Sequence, residues 1–220
     1  MEEKKDRRDE TAPAAGFTCA GLSADTLLSA ADERVLADLI YDTDPYIYPA
    51  MFGSRENAEA LLPLLFHTED GMFRLENFFV GFFGGCIRAL LLWKEGRLSW
   101  SPQILRETAE KHGIPLSPYL DMVAQEYVDA YGADDKAGLI SLINLCVAED
   151  CRGRGLGRAL MERFIKQHPD ADMELCALED NRNAVRLYES LGFAITERYN
   201  GFSADHRRLG AVRMQRRAVR

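Results

Sequence analysis

The segment CRGRGLGRAL, Cys151–Leu160, alternates arginine with glycine and leads straight into a stretch of helical periodicity. That combination suits phosphate. A strand that turns through glycines into a helix aims the N–H groups of the first helical turn outward, and the helix dipole adds partial positive charge there. The donors this predicts are the amides of Gly153, Arg154, Gly155, Gly157 and Arg158, and glycine at 153, 155 and 157 admits a diphosphate without a Cβ clash. Three phosphate ligands compete. A nucleoside-triphosphate loop needs Lys-Ser or Lys-Thr after its last glycine, and nothing of the kind follows Gly157. The dinucleotide pattern GxGxxG fails at its last place, which holds Arg158 or Leu160 according to the frame, although acidic residues follow at about 20 positions. An arginine–glycine contact to nucleic acid is opposed by a net charge of −8, which denies the surface a general positive field.

The elements around the loop are legible from hydrophobic patterning. LISLINLCV, Leu139 to Val147, is almost continuously apolar, as a strand buried on both faces should be. After the glycines, LGRALMERFIKQ puts Leu156, Leu160 and Phe164 on one helical face and Arg158, Glu162 and Lys166 on another. MELCAL (Met173 to Leu178) is a second buried strand. NRNAVRLYESLG follows as a helix with Ala184, Leu187, Tyr188 and Leu191 inward, capped by Asp180 or Asn181 and ended by Gly192. FAITERY and AVRMQRRA close the chain as strands. Upstream, ADERVLADLIYDT has helical spacing, a helix resumes near Glu56, and Phe78 to Trp93 fits two apolar strands joined at Gly84-Gly85. Two further helices start near Ser-Pro pairs, in SPQILRETAEKHG and LSPYLDMVAQEYVDAYG, and end at glycines. The predicted fold is α/β: one domain over 17–220 after a disordered leader at 1–16, with parallel pairing across the first strand–helix–strand unit.

RGRGLG at Arg152–Gly157 fits the R/Q-x-x-G-x-G/A signature of the GNAT superfamily of N-acetyltransferases. NRNAVRLYESLGF, Asn181–Phe193, resembles that family's N-x-x-A-x-x-L-Y-x-x-x-G-F helix. The resemblance covers Gly138 to Tyr199 and fits the first half only in outline. It implies a mixed, mostly antiparallel sheet of six to seven strands flanked by helices, with a splayed parallel pair at an acyl-CoA site. It further implies acetyl-CoA as co-substrate, no metal, and direct transfer to a primary amine. Leu145, Cys146 and Val147 would line the cofactor site, the backbone amides of Leu145 and Val147 pairing with the pantetheine arm and one of them acting as oxyanion donor. Arg152, Gly153, Arg154, Gly155, Gly157 and Arg158 would hold the pyrophosphate, Asn181 would cap its helix and bond the arm, and Tyr188 would protonate the leaving thiolate. The general base departs from the family pattern: Ser141 and Cys176 stand where some members carry glutamate, leaving Glu174 or a water chain. Asp42, Asp44, Tyr46 and Tyr48 are candidate contacts to the acceptor's ammonium group, and a solvated turn with buried tyrosines accounts for the same segment equally well. A catalytically idle acyl-CoA-binding module on the same fold is the alternative function.

Composition bounds the rest. With 220 residues, 47% of them hydrophobic, the chain can fill one substantial core. Five cysteines form no CxxC pair or metal-ligand spacing and read as small core residues. MEEKKDRRDE is charged throughout, unlike a secretory h-region, and the longest apolar run contains Arg88 and glycines, so the expected setting is cytoplasmic. The expected partner is an amine-bearing small molecule or peptide, with neither nucleic acid nor membrane; a homodimer is compatible with the sequence.

Overall fold

The computed structural model describes residues 15–69, 71–96, 102–131, 138–202 and 208–218. Residues 1–14 of the expected leader and Gly132, expected to end a helix, lie outside them. Among the described residues, seven strands make one sheet: β1 (Thr18–Gly21), β2 (Phe78–Phe83), β3 (Cys86–Glu95), β4 (Leu139–Val147), β5 (Asp172–Leu178), β6 (Ala194–Phe202) and β7 (Arg208–Arg216). Their order is β1-β2-β3-β4-β5-β7-β6, and only β4 and β5 run parallel. The helices are α1 (Ala30–Tyr41), α2 (Ile47–Phe52), α3 (Arg55–Phe66), α4 (Pro102–His112), α5 (Leu120–Tyr131), α6 (Leu156–Gln167) and α7 (Arg182–Ser190). The mixed α/β sheet with its single parallel pair is the predicted architecture.

Local chemistry explains most boundaries. Ser29 caps α1 by accepting from the Asp32 amide at 3.1 Å, while the Asp32 carboxylate reaches back to the Ser29 amide: a reciprocal capping box. Ser54 caps α3 in the same way, accepting from the Asn57 amide. Gly84 and Gly85 both take positive φ, +62° and +80°, which a two-residue hairpin turn matched to strand twist requires. Two elements exceed the sequence reading. β1 is four residues long, too short to show alternation; it forms because β2 supplies its hydrogen bonds. The Phe17 ring just before it lies where a Cβ on Gly81 would stand, so glycine in β2 makes room for the chain's entry. α2 forms within the aromatic, proline-broken stretch because Pro49 falls in its first turn, where no intrahelical donor is needed.

The sheet divides two apolar cores. On one face, Leu36 and Ile40 of α1, Phe52 of α2 and Leu62 of α3 pack with Phe78, Leu90 and Leu92, all fully buried. On the other, Leu160, Met161 and Phe164 of α6 pack with Phe79, Leu142, Met173 and Val212. Phe164 contacts Phe79 and Trp93 edge-on, with ring centroids 5.4 and 5.2 Å apart. β4 serves both cores at once, hence its nearly unbroken apolar run.

Candidate active site

β4 and β5 are paired only at Leu139–Leu142 with Asp172–Leu175. Beyond that point β4 stays with β3 as far as Val147, β5 stays with β7 as far as Leu178, and the parallel pair opens into a V. A register slip decides what faces the opening. Leu92 pairs with Asn144 but Trp93 with Leu142, so Ile143 is an extra residue, a β-bulge. Past the bulge, the Ala148 amide donates to the Arg88 carbonyl of β3 at 2.8 Å. Strand alternation therefore sends the Cys146 amide to β3 as well, and turns those of Leu145 and Val147 into the V. Of the three β4 residues expected at a coenzyme, two present amides to the gap. Cys146 presents none there, and its buried side chain belongs to the α1–α3 core.

The glycine loop sits at the mouth of this gap. Gly153 and Gly155 adopt positive φ, +75° and +73°, and Gly155 is the N-cap of α6 with no side chain capping it. The first intrahelical bond runs from the Ala159 amide to the Gly155 carbonyl, so the Leu156, Gly157 and Arg158 amides precede the helical ladder. A Cβ on Gly157 would lie 3.4 Å from Val147 Cγ2, so glycine there brings the helix start against the end of β4. The arginines are tethered around it. Arg152 donates Nε–H to the Val147 carbonyl at 3.0 Å, Arg154 reaches the Asp150 carbonyl and lies over Phe83, and Arg158 meets Ser190 and Glu162. A phosphate would therefore compete for these weak, solvent-facing contacts.

α7 lies beside α6 through the Arg158–Ser190 contact of 2.6 Å. Asn181 caps it, accepting from the Ala184 amide at 3.2 Å, and Gly192 ends it at φ +88°. Tyr188 is half-buried, against Phe193 and the same apolar cluster that Leu145 and Val147 border. Burial pushes its phenol up to about 12, so the hydroxyl is protonated at neutral pH and can donate. Burial also raises the Cys146 and Cys176 thiols, which disfavours a thiolate nucleophile.

On the opposite face of the sheet, Glu174 is 4% exposed and accepts from Ser141 at 3.3 Å and Gln215 at 3.5 Å. Ser141 and Glu174 face one another where β4 and β5 are still joined, at the closed end of the V. The acceptor segment is largely committed elsewhere. Asp42 pairs with Arg55, Asp44 accepts from the Tyr46 and Ile47 amides at 2.8 Å each, and Tyr48 is fully buried. Tyr48 is thus a buried tyrosine of the core and not an acceptor contact: its hydroxyl donates to Asn144 Oδ1 at 2.7 Å. Asn144 escaped the sequence reading, although the single amide side chain in LISLINLCV was a signal. A separate cleft of about 580 Å³ opens between α7 and β6–β7, lined by Glu179, Arg182, Glu189 and Arg198 among others and bordered by none of the predicted site residues. Among the described residues, no cluster of His, Cys, Asp or Glu could hold a metal, and no helix is long and apolar enough to cross a membrane.

Comparison with known proteins places the fold. A mycothiol acetyltransferase of Corynebacterium kroppenstedtii is 31% identical over 110 residues, 48% of this chain; the match spans 29% of that relative's length. An N-acetyltransferase from Staphylococcus aureus Mu50 superimposes with a TM-score of 0.64 at 12% identity, covering 90% of this chain and 99% of its own. YncA from Salmonella typhimurium, solved with its cofactor acetyl-CoA, superimposes with a TM-score of 0.52 at 16% identity, covering 93% and 95%. Residues 121–195, which include β4, α6, β5 and α7, match the acetyltransferase (GNAT) domain, and the chain has the fold of that superfamily.

Proposed function

We propose that this chain is an acetyl-CoA-dependent N-acetyltransferase that passes the acetyl group directly to a primary amine. The observation that carries this reading is the V between β4 and β5, with two strand amides facing in and an uncapped helix N-terminus at its mouth. The pyrophosphate would lie on the amides of residues 153–158, and the Leu145 and Val147 amides would pair with the pantetheine arm and the thioester carbonyl. The amine nitrogen attacks that carbonyl, the C–S bond breaks, and the Tyr188 hydroxyl gives its proton to the departing sulfur. Glu174, directly or through water, takes the proton the amine loses.

Calorimetry with acetyl-CoA, followed by free-thiol release against a panel of amines, tests this reading. Binding with amine-dependent release is expected; absence of binding overturns it. Binding without release from any amine would identify the idle acyl-CoA-binding module instead. Tyr188→Phe should lower turnover by about 10²-fold while changing acetyl-CoA affinity much less, and equal turnover would remove its acid role.

A further inference from the structure

The two amides that face the V do so only because β4 carries the bulge at Ile143. The Leu139 carbonyl accepts from Gly96 on the β3 side. Uninterrupted alternation from there would return Leu145 and Val147 to β3 and turn Asn144 and Cys146 to the gap. It would also exchange the faces of their side chains, and aliphatic residues on both sides of β4 resist that exchange only weakly. Asn144, next to the bulge, resists it strongly. Its side chain is buried, and it receives a hydrogen bond from the Tyr48 hydroxyl at 2.7 Å. In the unbulged register Asn144 would point into the apolar α6 core without that partner. The donor is itself fixed: the Tyr48 ring stacks on Phe52 at 6.2 Å and meets Phe73 at 6.5 Å, and Asp44 anchors the start of α2.

We propose that Tyr48 is a positioning residue: its hydrogen bond to Asn144 selects the bulged register of β4 that aims the Leu145 and Val147 amides at the thioester carbonyl. This rests on the acyl-CoA reading above. It also ties the α1–α2 segment to the strand whose amides would polarise the acetyl group.

The test is infrared spectroscopy of acetyl-CoA, labelled with carbon-13 at the carbonyl, bound to the full chain and to Tyr48→Phe, which keeps the packed ring. In the unsubstituted protein the carbonyl band should move to lower wavenumber on binding. In Tyr48→Phe the displacement should shrink by about half or more when both proteins are saturated with ligand. Asn144→Ala should have the same effect, and the double variant should add nothing to it. A full displacement in folded Tyr48→Phe, with or without a lower melting temperature, would show the hydrogen bond to be structural only and overturn the inference alone. Absence of acetyl-CoA binding by the unsubstituted chain would overturn the acyl-CoA reading, and the inference with it.

Discussion

At the scale of single residues, Gly155 and Tyr188 carry the sharpest consequences. Gly155 holds a left-handed conformation at the N-cap of α6, so a β-branched replacement both strains the turn and places a side chain before the loop amides. Gly155→Val should weaken coenzyme A binding by about tenfold or more while the protein stays folded, at a strain of about 1–2 kcal/mol; calorimetry and a melting curve separate the two effects. Tyr188 links to pH. Burial raises its pKa in the folded protein to about 12, above the value of about 10 it has unfolded. Its neutral form is therefore favoured by folding. That stability is complete below pH about 10 and is lost as pH climbs towards about 12. Between those values the urea midpoint of the unsubstituted protein should fall more steeply than that of Tyr188→Phe, and parallel curves would show that the hydroxyl is not desolvated.

At the scale of elements, the splay of β4 from β5 makes a prediction about the free protein. The Cys146 amide is tied to β3, whereas those of Leu145 and Val147 face a gap. Hydrogen exchange at Leu145 and Val147 should be about tenfold faster or more than at Cys146, and acetyl-CoA should selectively protect the former pair. Equal rates before ligand addition would mean the gap is closed in solution. The exactness of the helix boundaries has a simple cause. In α6 the amphipathic spacing, the glycines before it and the burial of Leu156, Leu160 and Phe164 all agree, so the sequence delimits the helix without help. α7 agrees too, through Asn181 and Gly192. β1 carries no such local agreement and exists only by pairing.

At the scale of the whole molecule, one sheet separates two cores and belongs to both. Phe52 fills one and Phe164 the other, and each is fully buried. Phe52→Ala and Phe164→Ala should each cost about 3–5 kcal/mol. Because β4 contributes side chains to both sides, each variant should still unfold in one transition, seen as coincident loss of far- and near-ultraviolet circular dichroism. Two separated transitions would show that the halves fold independently, against the single domain expected from the sequence.

The sequence by itself determined the β4–loop–α6–β5–α7 series and the glycine turn that opens α6, because those features rest on local rules: periodicity, caps, and the conformational freedom of Gly153 and Gly155. Only the tertiary structure revealed why the Leu145 and Val147 amides, the pair implied by the family resemblance, face the gap: the cause is a one-residue slip against β3 that no periodicity in LISLINLCV reveals. It also decided the fate of Tyr48. An aromatic residue in a polar, proline-broken segment offers the same pattern whether its hydroxyl meets an acceptor or a buried amide 96 positions away, and long-range packing alone separates the two.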